Sequence, residues 1–265
     1  MAAQLFTLGV AGHVYYLLAI FTAAGSNSIL DKHVPVSVCK SILPAICVGY
    51  ILPTVFMFLP FQDDFLWEQV MAFWQPTPLL VAILTVLFAA CLELHDQRSR
   101  RRQAAAEGKS DFDVIADKAM DWYNKRDVNA LKTIYAFVFA SSALVHVSVV
   151  LHAWMNTSKS VLSVFAYLFG LDSSMPSPFV SDWGIDDPAE IALILFKNDM
   201  LFSSLPLLIF LLYTVWAIRS NGYITTQTAQ KVAVAVLVGQ VVVGPPATYA
   251  GLWYWRETVL ADLSD

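Results

Sequence analysis

Residues 189–218 read AEIALILFKNDMLFSSLPLLIFLLYTVWAI, an apolar run interrupted in its first half by Lys197, Asn198 and Asp199. About 20 apolar residues in helical form cover the roughly 30 Å hydrocarbon core of a bilayer. An ionisable side chain placed there costs roughly 2.5 to 3.5 kcal/mol on insertion scales, so it usually faces the protein interior and serves function. The stretch thus predicts a membrane-spanning helical fold and makes Asp199 the first residue to weigh for chemistry.

The rest of the chain agrees. Of 265 residues, 57% are hydrophobic and 14% charged, with mean hydropathy +0.59; a soluble domain carries about 25% charged residues. The apolar residues fall into blocks at about Leu5 to Asn27, Val38 to Pro60, Val70 to Leu94, Ala130 to Met155, Ala189 to Ile218 and Val232 to Trp255. Backbone groups must be satisfied inside lipid, and these blocks lack the period-two alternation of barrel strands. The expected fold is therefore all-α, a polytopic bundle of six spanning helices forming a single transmembrane domain over residues 1–265. A shorter stretch, Val161 to Gly170, is expected to be interfacial or re-entrant within a lumenal loop at residues 156–188. The first block lacks a basic leading region and is expected to be retained as a span.

Basic residues set the orientation. With six crossings, Lys32, Lys40, the nine basic residues from Arg98 to Lys132, Arg219 and Lys231 share one side, against Lys159 and Arg256 on the other. The positive-inside rule makes the rich side cytosolic and both termini lumenal. Residues 95–129 form a cytosolic loop in this reading, opening with Arg98-Ser99-Arg100-Arg101-Arg102 near the level of lipid headgroups. In that loop Phe112, Ile115, Ala116 and Met120 have the spacing of a short amphipathic helix. The three cysteines, odd in number and within or beside apolar blocks, do not read as a disulfide framework.

Asp199 lies about 15 Å along its block, near the midplane. Its short side chain cannot snorkel, and burial favours the neutral acid, which can donate a proton. Lys197, two residues away, points to nearly the opposite side of the helix and can snorkel toward Glu190. The competing structural reading has Asp199 hydrogen-bonded to another helix, with His13, His146, Tyr15, Tyr16 or Tyr50 as partners. His146 and His152, six apart, do not share a helix face as metal ligands at i and i+4 would. Asp63-Asp64 and Asn198-Asp199 both lack the further acids of magnesium-binding aspartate motifs, so no metal or cofactor is expected. No nucleic-acid partner is expected, and the oligomeric state stays open. The many aromatic residues fit a membrane-interface belt, although their faces also stabilise cations.

Three stretches carry a family resemblance: Ile42-Leu43-Pro44-Ala45-Ile46-Cys47-Val48-Gly49-Tyr50 with Pro53, Lys197-Asn198-Asp199-Met200-Leu201-Phe202, and Gly244-Pro245-Pro246-Ala247-Thr248-Tyr249 leading into Trp253-Tyr254-Trp255. In these the chain resembles the small integral-membrane terpene cyclases of fungal meroterpenoid pathways, especially the ascochlorin and ascofuranone type. The resemblance implies a hydrophobic prenylated substrate, a farnesylated aromatic often bearing a terminal epoxide, cyclised without metal in the endoplasmic reticulum membrane. It implies Asp199 as proton donor, Asn198 orienting it, and Glu68, Glu93 or His146 in the second polar role. Tyr50, Trp67, Trp74, Tyr249 and Trp253 are the candidate substrate contacts. The alternative is a transporter or lipid-binding protein using Lys197 and Asp199 as a relay.

Overall fold

A computed structural model describes residues 14, 16–21, 34–61, 63–110, 113, 115–116, 120, 126–156 and 188–262; side chains at 64, 126, 153, 156 and 188–202 lie outside that description. The described residues are helical, with no strand among them. In chain order the helices are α1 (Val36–Ile46), a π-helical turn (Cys47–Ile51), α2 (Leu52–Met57), α3 (Asp64–Trp74), α4 (Thr77–Glu107), α5 (Arg126–Asn156), α6 (Pro188–Ser220), α7 (Thr226–Val242) and α8 (Pro245–Asp262). Among the described residues, four helical stretches are long and apolar enough to cross a membrane: Val36–Met57, Thr77–Glu107, Asp127–His152 and Ser203–Ser220. Of the first expected span only residues 14 and 16–21 are described, and they are helical. The segment Val161 to Gly170 lies outside the described residues.

The chain divides into two compact units, residues 32–134 and residues 1–31 with 135–265. In the first unit α1 packs along α4. Small residues are buried on both helices, Cys39, Ser41 and Ala45 on α1 and Thr77, Ala89 and Ala104 on α4. Close backbone approach between such residues is what holds helices together where lipid removes any hydrophobic drive. Gly49 continues the seam: a Cβ there would lie 3.0 Å from Val81 Cγ2 and 3.2 Å from Val81 Cα. At the entry to α1 the Asp127 carboxylate accepts from the Val34 N–H at 3.2 Å, tying the start of α5 to this seam.

The third expected span, Val70 to Leu94, is divided. α3 stops at Trp74, and Pro76 separates it from α4: Gln75 still has helical backbone, but Pro76 has no N–H to give to the preceding turn and itself leaves helical geometry at ψ 6. α4 then continues beyond Leu94 through the basic stretch to Glu107. Ser110 and Asp113 form a capping box: the Ser110 N–H donates to the Asp113 carboxylate at 2.8 Å and the Asp113 N–H donates to Ser110 Oγ at 3.3 Å. The Ser110 hydroxyl and amide hold the Asp113 carboxyl below its ordinary range. This box opens the expected amphipathic segment, of which residues 113, 115–116 and 120 are helical.

In the second unit the expected sixth span, Val232 to Trp255, is a hairpin instead of one helix. α7 ends at Val242, Gly244 takes φ +89, and Pro245 starts α8. Gly239 lies against Thr248, whose Oγ1 would be 2.7 Å from a Cβ on that glycine. Val236 and Leu252 share a core with Leu207, Leu211 and Val215 of α6. Two pairs so far apart in sequence meet only if the helices fold back, since nine residues of continuous helix span about 13 Å.

Candidate functional site

The first unit holds an apolar cleft of about 470 Å³ among α2, α3, the π turn and α4. Its shape begins with a proline. Pro53 has no N–H to give to the preceding turn, and the chain widens there into π winding, with the Leu52 N–H donating to Cys47 O. Thr54 Oγ1 donates to the Tyr50 carbonyl at 2.7 Å and accepts from Trp74 Nε1 at 2.9 Å. This relay ties the end of α3 to α2, and the Tyr50 and Trp74 rings lie 6.2 Å apart.

From α3 the cleft takes Leu66, Gln69, Val70 and Phe73, the i, i+3, i+4, i+7 face of the helix, and from α4 it takes Leu80 and Leu84. Gln69 is the polar residue of this lining. A volume in the range of about 300 to 1,000 Å³ with few polar groups suits an apolar small molecule. Glu68 and Trp67 are exposed on other faces of α3 and do not line the cleft. Glu93, half-buried on α4, accepts from Gln97 Nε2 at 3.0 Å. Asp63 accepts from the Phe65 N–H at 3.0 Å, so it works as a helix N-cap.

The second unit gathers an aromatic cluster around Trp253. Ring centroids of Tyr135, Phe210 and Tyr249 lie 6.3, 6.4 and 5.7 Å from it, and Tyr16 lies 5.0 Å from Phe210. The Arg256 guanidinium sits 4.6 Å from the Trp253 ring centre and pairs with Glu257. The ring face is negative and attracts the cation. Trp253 Nε1 is buried and has no hydrogen-bond partner among the described residues. The resemblance stretch singled out Tyr249 and Trp253, but not Arg256 or Glu257. The signal for those two was their place at i+3 and i+4 from Trp253 on one helix.

His146 packs on the hairpin turn: its Nε2 lies 3.0 Å from Val241 O, one of the carbonyls left without a partner at the end of α7. Its ring also fills the space over Gly244, where a Cβ would lie 2.7 Å from Nδ1. Asn198 and Asp199 lie in the N-terminal half of α6, and their side chains, like that of Lys197, fall outside the described residues. Pro206 sits inside the same helix, so the Phe202 carbonyl, one turn beyond Asp199, loses its usual N–H donor. Thus Tyr50 meets Trp74 in one unit, Tyr249 meets Trp253 in the other, and His146 serves the hairpin turn.

Against known proteins, the family model described as the CtvD domain matches residues 1–261. No curated protein and no solved structure matches the chain.

Proposed function

We propose, because this chain belongs to the CtvD domain family, that it is a membrane terpene cyclase acting on the prenyl chain of a farnesylated meroterpenoid. Family membership over nearly the whole chain carries the reading, the family being of the meroterpenoid cyclase type. The apolar cleft of the first unit and the membrane-spanning helices agree with a greasy substrate entering from the bilayer.

The reaction begins with proton transfer from the Asp199 carboxyl to a terminal epoxide oxygen. The C–O bond to the more substituted carbon breaks, the epoxide oxygen becomes a hydroxyl, and the electron-poor carbon is captured by a double bond or a hydroxyl of the same molecule. Loss of a proton to a second polar group completes an isomerisation that leaves the mass unchanged. Asn198 orients the acid. The Phe202 carbonyl freed by Pro206 is a backbone dipole one turn away that favours developing positive charge. Trp253 already has one face covered by Arg256, which raises the cost of a second cation there. We assign the reaction to the endoplasmic reticulum membrane on the strength of the family resemblance and the membrane-spanning helices.

Microsomes carrying the protein, incubated with an epoxyfarnesyl phenol, test this. The expected result is a product of identical mass and different retention, with turnover falling by about a hundredfold to ten-thousandfold in Asp199→Asn at unchanged protein level. No isomer from the wild type overturns the cyclase reading. An isomer formed at the normal rate by the variant overturns the role of Asp199 alone.

A further inference from the structure

A stripe down α4 changes character at the membrane boundary. Ile83, Leu87, Cys91 and Leu94 follow one another at i+3 or i+4 and are all exposed, and the same stripe continues with Arg98, Arg101 and Arg102, also exposed. At 100° per residue the three arginines fall within an arc of about 100°. The opposite side of the helix is the packed one, with Ala89 and Ala104 buried. Arg100 lies on that side and its Nε is engaged by Asp96 at 2.7 Å. Among the described residues no carboxylate pairs with Arg98, Arg101 or Arg102.

Helix length places the group. α4 has 31 residues, about 46 Å at 1.5 Å per residue, against a hydrocarbon core of about 30 Å. Arg98 lies about 6 Å beyond Leu94 along the axis, at headgroup level when Leu94 marks the end of the core, and Arg102 lies about 12 Å beyond, just past that layer and within reach of it through its side chain, which leans toward the helix N-terminus. Arginine stems can lie along the apolar surface of Leu94 while the planar guanidinium forks reach phosphate oxygens.

We propose that Arg98, Arg101 and Arg102 form a binding site for the headgroup of an anionic phospholipid, held on the bilayer-facing stripe of α4. The occupant is a lipid and not a free anion, because the apolar half of the stripe supplies the surface for its acyl chains. The site is independent of the cyclase chemistry.

The purified full-length chain is mixed in detergent with equal phosphatidylserine and phosphatidylcholine, and the retained lipids are counted by native mass spectrometry. The wild type should retain phosphatidylserine in preference, with the preference shrinking as salt rises. R98Q/R101Q/R102Q should lose about tenfold or more of it, each guanidinium near the surface being worth about fivefold, whereas R98K/R101K/R102K should keep most of it. R100Q should keep it all. A wild type without preference, a triple glutamine variant that keeps it, or displacement of the lipid by inorganic phosphate overturns the proposal. The wild-type salt and phosphate arms decide the matter even when a variant fails to fold.

Discussion

Gly244 shows how one residue can decide the course of two helices. Its φ of +89 lies where a side chain strains the backbone, and His146 occupies the space a side chain would need. Gly244→Ala should lower stability by about 2 kcal/mol or more, since left-handed backbone alone costs roughly 1–2 kcal/mol for a non-glycine residue. Thermal unfolding in detergent reads this directly. A double-mutant cycle with His146→Ala should show coupling, the alanine costing less once the imidazole is gone. Equal cost in both backgrounds would remove His146 from the account of the turn. The sequence offered Gly244-Pro245-Pro246 as a kink in a span, and a glycine before two prolines does read that way. That the bend would close into a hairpin depended on Gly239 meeting Thr248 and on His146 from a distant helix, neither of which periodicity can register.

Elements were legible where composition alone decides them. The second, fourth and fifth apolar blocks correspond to Val36–Met57, Arg126–Asn156 and Pro188–Ser220, because a predominantly apolar run in lipid has no alternative to helix. The third block was less legible, since Pro76 could be read as a kink and the helix beyond Leu94 is polar. The π turn had no signature except Pro53. Thr54 was equally silent in sequence, yet it links Trp74 to the Tyr50 carbonyl. Thr54→Val keeps the shape and leaves both partners unsatisfied, so it should cost about 1 kcal/mol. Tryptophan fluorescence should shift as α3 loosens from α2. An unchanged spectrum and melting temperature would show that the relay holds nothing.

Across the whole molecule the hairpin bears on the topology expected from charge. A single sixth crossing would separate Arg256 from Arg219 and Lys231. Folding back at Gly244 returns the end of α8 toward the start of α7, so Arg256 would lie toward the same end of the hairpin as Lys231. Glycosylation or protease-accessible tags at Asn221–Thr225 and after Asp262 should therefore report the same side of the membrane. Tags on opposite sides would mean that α7 and α8 together make one crossing. The least legible part of the site is the role of Asp199: its place in an apolar run is plain in the sequence, whereas its neighbours depend on how distant helices meet.

The widened winding at Cys47–Ile51 carries a consequence for how such a chain can diversify. A π turn holds one residue more than regular helix needs, so losing a single residue there would restore ordinary winding and leave the helices on either side nearly in phase. The faces of α1 and α2 would be kept, and the cleft wall would change only at the turn itself, where Val48 sits. The wall of the cleft can therefore be reshaped by a one-codon deletion, with no side chain exchanged for another and the helices around it undisturbed.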